Sequence, residues 1–125
     1  MAMIAAAVAV ALLSALAVLQ ICVAAGAPWG RLVWGGAHRV LPARLRIGSA
    51  VSVLLYAAFA WLLLARAGVL PGSDLPLVTA ATWVLFAYFT VGILMNLVSR
   101  SVPERLAMTP VCVVLAAATL LVALD

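Results

Sequence analysis

"AMIAAAVAVALLSALAVLQICVAA", residues 2–25, runs for twenty-four positions without a charge. How it is read decides the fold: as a leader to be cleaved, or as a helix that stays in a bilayer. The small residues at its end suit a cleavage site. However, it has no basic n-region, and a secretory h-region is only about 7–15 residues long. A hydrocarbon core about 30 Å thick takes roughly 20 apolar residues of helix. The stretch is therefore expected to be a retained span.

Composition extends that reading to the whole chain. Seventy per cent of the 125 residues are apolar, 8% are charged, and the mean hydropathy is +1.37. Soluble domains carry about a quarter charged residues, and a small domain cannot hide such an apolar excess in its core. Three further runs match the length of a bilayer crossing: 47–65, 77–98 and 107–124. The chain is thus expected to be an all-α membrane protein, one domain over 1–125. Short connections make successive spans neighbours, so the expected form is an antiparallel up-down-up-down bundle of four transmembrane helices. No soluble domain, low-complexity tail or internal repeat stands out.

The interfacial loop 26–46 joins the first two spans. With its flank it reads "APWGRLVWGGAHRVLPARLRIGS" over 27–49, and holds four of the seven arginines, the single histidine, two of the four tryptophans and four of the eight glycines. Six arginines (31, 39, 44, 46, 100, 105) fall in the first and third loops, and only Arg66 falls in the second. The positive-inside rule then places loops 26–46 and 99–106 in the cytoplasm and both termini outside. An all-Arg, Ala/Val/Leu-rich chain of this kind suggests the inner membrane of a bacterium. The net charge of +4 reads as topology signal and contact with anionic head groups, not as a nucleic-acid footprint. A homo-oligomer or a larger membrane complex is compatible with the composition.

Local stops and starts follow familiar chemistry. Pro42 suits the first turn of helix two. Asp74 in "VLPGSDLP" (69–76) is placed to cap helix three, and Ser101 to cap helix four, with Pro103 and Glu104 in its first turn. Lipid-facing helices associate through small and polar residues. The expected stripes are Ala7, Ala11 and Ala15 near Ser14 on the first helix and Ser49, Ser52 and Tyr56 on the second. The third carries two, Thr79, Thr82, Phe86 and Thr90, and Tyr88, Gly92, Asn96 and Ser99. On the fourth the stripe is Cys112, Ala116, Thr119 and Ala123.

The candidate site is the first loop with the spans beneath it. Trp29, Arg31, Trp34 and His38 would give a flat wall and polar groups, and Arg39, Arg44 and Arg46 forked donors for a carboxylate or phosphate. Ser49, Ser52, Tyr56 and Asn96 would line a polar pocket opening toward that loop, joined by Gln20 and Thr109. The plainer reading is an interfacial anchor that touches anionic lipid without specificity. Gly35-Gly36 breaks any continuous helix there. His38 stands beside arginines, which suits a solvated imidazole better than a proton shuttle. Cys22 and Cys112 form no ligand spacing and read as reduced thiols at similar depth, with a disulfide between them arguing for the opposite topology. No metal cluster, cofactor motif or catalytic set appears. An enzyme using His38 and arginines therefore ranks behind a binding protein or accessory subunit, and behind a transporter or channel component assembled by oligomerisation. No carboxylate lies within a span, which counts against proton-coupled transport of the kind small multidrug transporters perform with a glutamate in their first helix.

Two segments, "PWGRLVWGGAHRVLPARLRIGS" (28–49) and "NLVSRSVPERLAMTP" (96–110), resemble a family of uncharacterised small four-span bacterial integral membrane proteins. The resemblance covers nearly the whole chain. It implies the bundle and assigns no reaction.

Overall fold

The computed structural model describes residues 1–125. Four α-helices account for most of them: α1 (Ala2–Ala24), α2 (Ala43–Arg66), α3 (Pro76–Leu97) and α4 (Val102–Leu124). At 22 to 24 residues, each is about 33–36 Å long at 1.5 Å per residue. All four are long and apolar enough to cross a membrane. Only 25 residues of 125 are buried, so much of the large apolar surface faces outward on every helix, as expected of a bundle solvated by lipid. These features fit a multi-pass membrane protein.

Helix ends depart from the hydropathy runs for simple reasons. The second span is expected from residue 47, yet α2 begins at Ala43. Arg44 and Arg46 lower hydropathy but are good helix formers, so the helix extends past the apolar run. Pro42 stands just outside it as the N-cap residue with extended backbone. Asp74 does not cap α3: Leu75 holds the N-cap position, makes no side-chain cap bond, and Pro76 follows as the first helical residue. Ser101 does cap α4, its Oγ accepting from the Glu104 N–H at 3.4 Å. Pro110 sits inside α4. The amide it lacks leaves a gap in the helix ladder, and bilayer helices tolerate such gaps.

The core is a band of small and large apolar side chains. Ala5, Ala6, Ala9 and Leu13 of α1 meet Leu63 of α2, Leu85 and Phe89 of α3, and Leu115, Ala116 and Val122 of α4. α3 packs most extensively on α4, and α1 on α2, while α1 also joins α4. The expected stripe Ala7, Ala11 and Ala15 is exposed, as is Ser14. Ala2, Ala5, Ala6 and Ala9 are buried instead. α1 is rich in alanine all round, so residue size alone does not select its buried face. On α4, Ala116, Thr119 and Ala123 are buried as expected.

Hydroxyls contribute little between helices. Ser14, Ser52, Thr82 and Thr90 each donate to the carbonyl four residues back in their own helix, at 2.8–3.0 Å. Such back-bonding satisfies the hydroxyl locally. A polar track across the bundle along these stripes therefore does not form from them.

At one end α2 is tied to α4 by a single side chain. Arg66 Nη2 donates to the carbonyls of Ala123 at 3.2 Å and Asp125 at 2.6 Å. A cation at a helix C-terminus satisfies free carbonyls and complements the dipole, worth roughly 0.3–1 kcal/mol. Arg66→Ala is expected to leave the fold intact and to speed amide exchange over residues 122–125 severalfold. Unchanged exchange there would show that the clamp is idle.

Candidate functional site

The chain leaves α1 through Ala25 and turns at Gly26 into a connection that holds two 3₁₀ turns, Gly30–Leu32 and Trp34–Gly36. The segment is broken, as the glycine pair requires. Two contacts fix its path. The Gly30 N–H donates to the Arg39 carbonyl at 2.8 Å, and a side chain at Gly30 would overlap the His38 carbonyl. At Gly36, φ is +71° and a Cβ would overlap the Ser101 side chain. Trp34 itself is left-handed, with φ +53°. That conformation costs a bulky residue on the order of 1–3 kcal/mol, so its surroundings must hold it.

They do so through four hydrogen bonds. Trp34 Nε1 donates to Ser49 Oγ at 2.9 Å, and the indole lies against Gly48 of α2, where a Cβ would stand 2.8 Å from the ring. The Gly35 N–H donates to Glu104 Oε2 at 3.0 Å, and Ser99 Oγ donates to Glu104 Oε1 at 2.6 Å. Ser101 Oγ donates to the Arg31 carbonyl at 2.6 Å. Beneath, Val23, Val33 and Leu41 form a small apolar cluster of their own. The first connection is thus fastened to the 98–101 turn and to the first turn of α4.

Under this cover lies a cavity of about 330 Å³ with nineteen wall residues, fourteen of them hydrophobic. Its polar wall groups include Gln20, Ser52, Tyr56, Asn96 and Glu104, with Trp34 at the cover. An aromatic cluster joins α2 to α3: the Phe59 ring is 5.4 Å from Tyr88 and 5.9 Å from Phe89, and the last two are 5.6 Å apart. Tyr88 and Phe89 also line the cavity. Asn96 Nδ2 donates to the Gly92 carbonyl at 2.8 Å and to Cys112 Sγ at 3.3 Å, linking α3 to α4 at the wall.

Of the residues singled out from sequence, Trp34, Ser52, Tyr56, Asn96 and Gln20 meet at this cavity. Ser49 is fully buried, and its oxygen is taken by Trp34. Thr109 lies outside the wall, its Oγ1 buried without a partner. No arginine lines the cavity. Trp29, Arg31, Arg39 and Arg44 are exposed. Arg31 Nη1 donates to the Gly36 carbonyl at 2.8 Å, and Arg46 Nε to that of Leu41 at 2.9 Å. His38 is half-buried, with Nδ1 enclosed and unpartnered, and is not part of the wall. Cys22 and Cys112 are both free thiols.

Glu104 is the wall residue that sequence reasoning placed elsewhere, among the helix-start residues of α4. The sequence Ser101-Val-Pro-Glu104 is a capping-box pattern, in which the glutamate would turn back to the Ser101 N–H. Instead that N–H donates to Ser99 Oγ at 3.2 Å, and the carboxyl group is released to reach Gly35. Ser99, two residues before the cap, was the available signal. No family model, curated protein or solved structure matches the chain.

Proposed function

We propose that the protein is a four-span antiparallel bundle of the bacterial inner membrane that takes one amphipathic small molecule or lipid chain into the cavity beneath its first connection. The observation that carries this reading is the cavity: about 330 Å³, mostly apolar, with a few polar side chains gathered in its wall. That combination is the general form of a small-molecule site. The contact between the first connection and the 98–101 turn supports placing both on one side of the bilayer, and their arginines favour the cytoplasmic side. The exposed Arg39, Arg44 and Trp29 then sit at the head-group level, where they touch anionic lipid.

Native mass spectrometry of the protein released from its own membranes tests the reading. One defined mass at fixed stoichiometry is expected on the wild type and on an Arg39→Ala/Arg44→Ala double variant, which should lose only part of its loosely bound anionic lipid. The same mass should be absent from Ser52→Phe, which fills the cavity. A ligand kept by Ser52→Phe, or only a smear of ordinary phospholipid on the wild type, would overturn it.

A further inference from the structure

The cavity wall holds one formally charged side chain, and its charge is negative. Glu104 is 7% exposed, and the two groups that donate to it, Ser99 Oγ and the Gly35 N–H, are both neutral. The arginines on neighbouring segments donate to backbone carbonyls: Arg31 to Gly36, Arg46 to Leu41 and Arg105 to Ser99. A carboxylate offers about four acceptor positions, so two bonds leave capacity. A buried carboxyl group without a counter-charge is costly unless something supplies one.

A second group points the same way. Gln20 is also 7% exposed and belongs to the wall. Its Nε2 reaches Tyr56 Oη at 3.5 Å, and its Oε1 is buried without a partner. In this orientation of the amide the free atom is an acceptor, which calls for a donor from the ligand. Buried polar atoms in proteins nearly always have partners, and an orphan in a cavity wall is a position for a ligand's polar group. Trp34, Tyr56, Tyr88 and Phe89 add aromatic surface to the same wall, and such surface attracts organic cations.

We infer that the cavity selects an amphiphile whose polar end is a compact organic cation with N–H donors, a protonated amine, set between Glu104 and the aromatic wall. An ammonium group carries up to three donors, which suits the free acceptor positions of Glu104 and the orphaned Gln20 oxygen. The inference rests on the cavity being a binding site, and it reverses the charge that the arginine-rich loop suggests for the ligand. The arginines stand outside the wall and act on the membrane surface.

The test uses the full chain in phosphatidylcholine nanodiscs, in a Cys22→Ser background, with octylammonium, octanol and octanoate as probes. Occupancy is read as protection of Cys112, a wall residue, from a small maleimide. Octylammonium is expected to half-protect at a concentration at least about tenfold below that of octanol, a difference of ~1.4 kcal/mol. Glu104→Gln should abolish that preference, so that octylammonium and octanol half-protect the variant at similar concentrations. Equal protection by octanol and octylammonium, or strongest protection by octanoate, would overturn the charge selection and leave the cavity as a site. The wild-type series decides this even if Glu104→Gln fails to fold. No protection by any probe would remove both the inference and the binding reading beneath it.

Discussion

Gly30→Ala is expected to lower stability by about 3 kcal/mol, a large value for adding one methyl group. The new Cβ would overlap the His38 carbonyl and stand 2.8 Å from that of Arg39. Neither oxygen can yield cheaply, because both belong to backbone and Arg39 O accepts the Gly30 N–H. Relief requires the two sides of the first connection to part, which breaks that bond and uncovers the Val23, Val33 and Leu41 cluster. Gly35→Ala serves as the control. Its φ is +75° but nothing lies within 4 Å of a Cβ there, so only the left-handed penalty applies, about 1–2 kcal/mol. The midpoint of thermal unfolding in detergent, followed by light scattering, compares the two. Equal falls would mean that the close approach at Gly30 does not constrain the loop.

Glu104→Leu should be nearly as damaging, for a different reason. It removes the acceptor of the Gly35 N–H and Ser99 Oγ; a hydrogen bond to a charged group is worth about 1.5–3 kcal/mol, less here because both bonds are only part-buried. The damage should also be local. Amide exchange across residues 30–39 is expected to rise by at least tenfold, about 1.4 kcal/mol of opening free energy, while α1 and α3 exchange as in the wild type. Glu104→Gln, which keeps one carbonyl acceptor, should lose about half as much. Wild-type exchange over 30–39 in Glu104→Leu would show that the carboxyl group does not hold the connection.

These two positions also mark where the sequence is legible. The four long apolar helices are legible from length and apolarity alone, and each expected run lies almost wholly within its observed helix. The Ser101 cap is equally local and readable. Asp74 fails as a cap because Pro76 takes the first helical position and moves the cap to Leu75. The face of α1 is unreadable because alanine occupies every side of it. At the cavity, Ser52, Tyr56 and Asn96 were visible as polar groups at neighbouring depth. Their partners were not. Trp34 meets Ser49 fifteen residues on, Gln20 meets Tyr56 thirty-six residues on, and Gly35 meets Glu104 sixty-nine residues on. The arginines mark the first loop by their charge, but long charged side chains favour the surface, and none of them lines the cavity. The one charge in the wall is a residue whose local pattern explains it fully as helix-start chemistry.

The two ties from the first connection to the start of α4 span 69 and 70 residues, from Gly35 to Glu104 and from Arg31 to Ser101. Chains are synthesised from the N-terminus at about 5–20 residues per second. The ribosome therefore completes the first connection seconds before the residues that fasten it exist. Until α4 emerges, Trp34 has no latch from that side to hold its left-handed backbone, and a glycine-rich, arginine-bearing segment stays open to proteases. A chain interrupted before residue 101 cannot close it. The first loop to be made is thus fastened only after the third has been made.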